Sequence, residues 1–157
     1  MIEVRIQPHD FNVAAELDRL RDKRTDIGAL VTFTGLVRDM LMHDRTDGQP
    51  ITAMTLEHYP AMAQRQLEAI AREAETRWPL LGGTIIHRHG RLMPGDQIVL
   101  VAIASAHRHA AFEAAMFLMD WLKTKAPFWK KEEGDTGTHW VAARAEDDAA
   151  AERWSRG

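Results

Sequence analysis

Residues 84–125 pass from one apolar strand through a tight turn into a second strand, and from there into a long helix with no linker between them. "TIIHRHG" (84–90) and "DQIVLVAIA" (96–104) are rich in β-branched residues and flank "RLMPGD", whose Pro94-Gly95 pair predicts a tight turn and an antiparallel hairpin. The second strand reads as buried. From Ser105 the pattern is helical as far as "KAPFW", where Pro127 biases Ala126 out of the helical region and stops the helix.

The flanking segments add separate strands and helices. "IEVRI" and "GALVTFTGLVR" read as strands, with a helix between them over "FNVAAELDRLRDK" that places Val13, Leu17 and Leu20 on one face. The polar stretch His43 to Pro50 reads as a mobile loop. "ITAMTLEHY" is a further strand, and after Pro60 the residues Leu67, Ile70, Ala71, Ala74 and Trp78 keep helical spacing. "THWVAAR" predicts a short strand, and an acidic, alanine-rich helix starts at about Glu146. At 157 residues and 45% hydrophobic content, with no repeat and no low-complexity linker, the chain fits one domain over 1–157. Hairpin strands mixed with separate helices predict an α+β fold, a largely antiparallel sheet covered by helices.

Charge and composition narrow the function. With 20 Lys+Arg against 23 Asp+Glu, the chain lacks the global positive field of a protein that coats nucleic acid, so any anion must be met by a local cluster. There is no cysteine, which excludes disulfides, thiolate metal sites and a cysteine nucleophile or sulfur carrier on this chain. The N-terminal stretch has no basic segment followed by an apolar one, and no apolar run of about 18 residues occurs; the expectation is a soluble, cytoplasmic protein.

The local cluster is "LKTKAPFWKKEE" (122–133), four lysines around a proline and two aromatics. Phe112, Met116, Met119 and Lys123 stand at i, i+4, i+7 and i+11, an apolar stripe expected to face the core and to end in a lysine. A lysine at that edge can be desolvated and serve as base or nucleophile, or it can snorkel and serve the helix dipole. Lys130 and Lys131 follow an aromatic anchor and read either as cations converging on Lys123 or as a solvated charge run beside Glu132 and Glu133. At the start of the same helix Ser105 is a natural N-cap. His107 and Arg108 in the first turn suit an anion site, or else Arg108 pairs with a surface carboxylate. Arg38 ends a strand just before the loop. The pairs His87/His89 and His107/His109 lack the spacing and carboxylate company of a zinc site, so no metal is expected.

Helix length constrains how these groups combine. Arg108 and Lys123 are fifteen residues apart on one predicted helix, about 22 Å at about 1.5 Å per residue. They cannot grip one small ligand within one chain. Either there are two anion sites, or one pocket joins Lys123 of one copy to His107 and Arg108 of a second.

Five ordered stretches, "GALVTFTGLVRD", "LEHYPAM", "IIHRHGRLMPGD", "SAHRHAAFEA" and "MDWLKTKAPFWKKE", resemble the large, catalytic subunit of molybdopterin synthase over nearly the whole chain. The resemblance implies a hammerhead-like α/β fold and a sulfurtransferase. Two sulfurs pass from the C-terminal Gly-Gly thiocarboxylate of a small ubiquitin-like partner subunit to a cyclic pyranopterin monophosphate, precursor Z, to form the dithiolene of molybdopterin. It implies a homodimer of this chain, a heterotetramer with the small subunit, no resident cofactor and no nucleic-acid or membrane partner.

Residue by residue, the resemblance makes Lys123 and Lys130 catalytic and assigns Arg38, His107, Arg108, Lys131 and Glu132 to substrate binding. Phe33 and Met119 become pocket walls. Two departures stand out, Ala61 where the family has glycine and His89 where it has a small or apolar residue, and both are expected away from the pocket. The competing expectation is a non-catalytic anion- or nucleic-acid-binding α+β module that uses the same lysines.

Overall fold

The computed structural model describes residues 1–39, 51–125, 128–134, 137–141 and 145–156. Its elements in chain order are β1 (Ile2–Gln7), α1 (Val13–Arg21), β2 (Ala29–Leu36), β3 (Ile51–His58), α2 (Pro60–Arg77), β4 (Leu80–Arg88), β5 (Gly90–Leu92), β6 (Gln97–Ser105), α3 (Arg108–Thr124), β7 (Phe128–Gly134), β8 (Gly137–Val141) and α4 (Ala145–Glu152), closed by a 3-10 turn at Arg153–Arg156. The expected loop at 43–50 lies outside the described residues.

The strands form two four-stranded sheets, ordered β1-β4-β6-β2 and β5-β3-β7-β8. All described pairings are antiparallel except β1 with β4. The expected hairpin is present as β4 and β6, with Ile85 opposite Val101 and His87 opposite Val99. Its connection is more than a turn. Gly90, at φ +90°, lets the chain leave the first sheet, and β5 then pairs with β3 in the second, Leu92 opposite Met54. The tight turn follows over Met93–Asp96, where Gly95 adopts φ +91° and the Asp96 carboxylate accepts from the Met93 N–H at 2.8 Å. One excursion of the hairpin thus ties the two sheets together.

Burial explains why β6 is apolar along its length. Val99, Val101 and Ile103 face α2 and α3, meeting Leu67, Ile70, Ala71, Ala114, Leu118 and Leu122. Leu100 and Ala102 face the other way, toward Phe11, Ile86 and the α1 residues Val13, Leu17 and Leu20. Each fully buried aliphatic side chain contributes roughly 1.5–3 kcal/mol. A smaller core of Val37, Met54, Leu56 and Leu92, bordered by Ile98 and Phe128, lies where the sheets meet.

Helix α3 corrects two expectations. Its core face is Ala111, Ala114, Ala115, Leu118 and Leu122, whereas Phe112 is 62% and Met116 51% exposed. The small alanines let the helix lie close on β6 and β2, which turns the bulkier stripe outward; of its apolar members only Met119 is buried. Ser105 is not the N-cap either. It completes β6, opposite both Leu80 and Ala29, and its hydroxyl donates to the Pro79 carbonyl at 2.9 Å. The N-cap is His107, in extended conformation and without a side-chain capping bond.

Behind α3, the Trp154 indole N–H donates to Asp120 at 2.6 Å and its ring meets Trp78 and Phe117 edge-on. That contact holds the C-terminal turn against α2 and α3. Among the described residues no helix is long and apolar enough to cross a membrane.

Candidate active site

Two lysines of the basic cluster stand on different elements, Lys123 at the end of α3 and Lys130 on β7. Lys123 is exposed in the last turn of α3, directly after Leu122, which the main core buries. The chain then returns as β7, antiparallel to β3, with Phe128 opposite His58, Lys130 opposite Leu56 and Lys131 opposite Thr55. Because side chains alternate along a strand, Phe128 and Lys130 share one face and Lys131 occupies the other. Leu56 belongs to the small core, so the face with Phe128 and Lys130 is the inward one.

The neighbour that Lys123 and Lys130 share is His87. This residue, near the end of β4, is 7% exposed and stacks on Phe128, the ring centroids 3.8 Å apart and the planes 11° from parallel. Its Nδ1 lies 2.9 Å from the Arg88 carbonyl oxygen. A carbonyl only accepts, so Nδ1 carries the hydrogen and Nε2 the lone pair. Burial is the main cause that holds the ring neutral, down to about 4 against the Arg88 hydrogen bond that opposes it, and the positive charges of Lys123 and Lys130 together with His58 add to the effect. The two lysines therefore act on one buried imidazole from separate elements.

Further rings extend the seam. His58 lies 5.6 Å from Phe128, and His89 lies 4.4 Å from His58. Burial lowers the basicity of both, and for His58 the neighbouring His89 adds to it. The chain reversal at Gly90 swings His89 toward β3, where the His58 ring stands between it and Phe128.

Arg38 follows buried Val37 and is itself exposed on the rim. The Val37 N–H donates to the Asp96 carbonyl at 2.9 Å, and the Gly95 N–H to the Val37 carbonyl at 2.7 Å. This bracing fixes an open cleft lined by Val37, Arg38, Asp39, Pro94 and Gly95. Phe33, 40% exposed, stands opposite Val101 on the helix-covered side of β2, an edge strand of its sheet. Met119 is buried one turn before Lys123. His107 and Arg108 are exposed at the far end of α3, which is continuous, so the separation of about 22 Å stands. The Glu132 side chain lies outside the described residues.

Lys130, opposite Leu56, and Arg38, next to Val37, both border the small core, Lys123 stands in the last turn of α3 and His107 and Arg108 at the other end of that helix. Among the described residues no three His, Asp or Glu side chains are placed to hold a metal ion. Sequence reasoning weighed His87 only as half of a metal pair. Nothing local marks its role, because its partner Phe128 lies on a different sheet and far along the chain.

The family model described as "MoaE protein" matches residues 6–125. The chain is 52% identical to the molybdopterin synthase catalytic subunit of Brucella melitensis over 155 residues, 98% of this chain and 91% of that one. Among solved structures it is similar to the molybdopterin biosynthesis MoaE protein of Burkholderia ambifaria, with a TM-score of 0.81 and 50% identity over 99% of both chains. It is also similar to molybdopterin synthase from Staphylococcus aureus, with a TM-score of 0.76 and 31% identity over 88% of this chain and 96% of that one.

Proposed function

The chain belongs to the MoaE protein family, and from that premise we propose that it is the catalytic subunit of a molybdopterin synthase, an enzyme of molybdenum-cofactor biosynthesis. Its reaction is the transfer of two sulfurs from the C-terminal thiocarboxylate of a small ubiquitin-like partner to the pyranopterin monophosphate precursor, giving a dithiolene. The absence of cysteine agrees with a sulfur that arrives on another protein.

What supports this reading is the family match over residues 6–125 together with two lysines on neighbouring elements, Lys123 at the end of α3 and Lys130 on the inward face of β7, whose charges both bear on the buried His87. Both the phosphate of the substrate and the thiocarboxylate of the partner are anions, and two ammonium groups at one place bind and polarise such groups. Lys123 assists attack of the thiocarboxylate sulfur on the pterin side chain. Lys130 stabilises the oxyanion that develops. Arg38 on the rim, with His107 and Arg108 of a second copy, holds the phosphate, while Phe33 and Met119 line the pocket. Lys131, on the opposite face of β7, contributes charge to the approach of the partner tail rather than to the reacting atoms, and Glu132 accompanies it.

The outward stripe of α3 supports a homodimer, and with a small subunit on each copy a heterotetramer. Arg108 and Lys123 lie at its ends, with Phe112 and Met116 exposed between them. A two-fold axis beside Met116 lays a second α3 antiparallel on the first and brings the second copy's Arg108 to Lys123. Exposed apolar residues at the axis give that packing its driving force.

Reconstitution tests the reading: purified chain, thiocarboxylated small subunit and precursor, assayed for dithiolene with wild type and with Lys123→Ala. Product from wild type and little from the variant is the expected outcome. No product from folded wild type, with the other components verified active, returns the lysines to the role of an anion-binding surface.

A further inference from the structure

One lysine of the basic cluster has no place in the reading above. Lys125 lies two residues beyond Lys123, about 200° further round the helix at about 100° per residue. It ends a different stripe of α3, with Phe117, Trp121 and Lys125 at i, i+4 and i+8. Between that stripe, the α2 residues Ile70, Glu73 and Arg77, and the C-terminal turn lies a cavity of about 200 Å³.

The cavity is held open by fixed groups. Arg77 lies over the Phe117 ring at 4.7 Å, donates to Glu73 at 3.1 Å and donates to the Trp154 carbonyl at 3.0 Å. The Trp154 indole N–H is committed to Asp120. Two of the lining residues keep a free donor. Among the described residues the exposed Lys125 ammonium has no ion-pair partner, and the Trp121 indole N–H donates to no group.

We propose that this cavity is a binding site for a small planar aromatic molecule that carries one negative charge. Phe117, Trp121 and Trp154 supply flat apolar surfaces for the ring. Lys125 supplies the counter-charge, and the Trp121 N–H a second donor. Glu73 already balances Arg77, so one cation remains unmatched and a monoanion suits it. The volume is below the roughly 300–1,000 Å³ of sites for drug-sized ligands, which restricts the occupant to one or two fused rings. Neither Lys123 nor Lys130 lines the cavity. Occupancy needs no partner subunit and no turnover, so its test is independent of the synthase reading.

The test uses the isotope-labelled full chain and three probes: indole-3-carboxylate, its neutral isostere indole-3-carboxamide, and cyclohexanecarboxylate, an anion without a planar ring. NMR titration follows the Trp121 indole N–H and the Lys125 backbone N–H. The expected result is saturable shifts at both with indole-3-carboxylate, at a Kd of about 1 mM or tighter, and binding at least about fivefold weaker for each of the other probes. Lys125→Ala should weaken the carboxylate to the level of the carboxamide, Ala151→Phe should fill the cavity and remove binding, and Lys123→Ala should leave the Kd unchanged.

No saturable shift by about 10 mM would overturn the proposal, as would equal affinity for either of the other probes. A Lys125→Ala that binds like wild type would also overturn it and leave Lys125 to balance the dipole of α3. Shifts confined to Lys123 and β7 would give the anion to the lysine pair instead. Should Ala151→Phe fail to fold, Lys125→Ala and the probe comparison decide by themselves.

Discussion

The His87 ring lies flat on Phe128, at 3.8 Å between centroids and 11° between planes, and this one contact fastens β4 of the first sheet to the first residue of β7 in the second. Replacing Phe128 by alanine removes the stack and part of the small core formed with Val37, Met54, Leu56 and Leu92. Phe128 is only half-buried, so the expected loss is about 2 kcal/mol, below the roughly 3–5 kcal/mol of a fully buried phenylalanine. Urea denaturation measures it. A loss under about 0.5 kcal/mol would mean that the stack does not hold the sheets together.

The neutral state of His87 predicts a pH dependence of stability. Its basicity is lowered from 6.5 in the unfolded chain to about 4 in the fold. Between those values the unfolded chain binds the extra proton, so stability is complete above about pH 6.5 and falls as pH drops toward about 4. The slope from this one group is about 1 kcal/mol per pH unit. His58 and His89 shift in the same direction, so the informative quantity is the difference between wild type and His87→Phe, measured by denaturation at several pH values from about 4.5 to 7. Wild type should lose stability steadily relative to His87→Phe as the pH falls; parallel curves would show that His87 protonates in the fold as readily as outside it.

Strand alternation separates two adjacent lysines. Lys130 shares the inward face of β7 with Phe128, and Lys131 lies opposite Thr55 on the other face. Lys130→Ala is expected to lower kcat by about tenfold or more, and Lys131→Ala by about threefold or less with most of its effect on partner affinity. Steady-state kinetics with the thiocarboxylated partner varied makes the comparison. Equal losses in kcat would mean that β7 does not present the two residues to different sides.

The outward stripe of α3 predicts an assembly defect. Met116→Glu places a charge at the proposed two-fold axis, beside exposed Phe112, without entering the core. Its expected product is a folded monomer with little synthase activity, since His107 and Arg108 of the second copy no longer reach Lys123. Sedimentation and the reconstitution assay read the two effects. A dimeric Met116→Glu with wild-type activity would place the interface elsewhere.

Much of this was legible in the residues. The β4–β6 hairpin follows from β-branched runs around Pro94-Gly95, and α2 from its spacing of Leu67, Ile70, Ala71 and Ala74 with Pro60 in the first turn. The length of α3 set Arg108 and Lys123 apart before any fold was known. Those are local properties: dihedral preference, side-chain periodicity and rise per residue act over a few neighbours, and the sequence records them directly.

Tertiary structure decided the remainder. Spacing placed Phe112 and Met116 on one stripe with Lys123, but periodicity gives a face and not its direction; the alanine face won the sheet because small side chains permit the closer approach. The departure of β5 into a second sheet required a partner, β3, that no local pattern names. The surroundings of His87 lay furthest from view. Its tautomer depends on a backbone carbonyl, its plane on a ring from another sheet and its neutrality first on burial, to which the charges of two lysines add, and only the folded chain creates those conditions together.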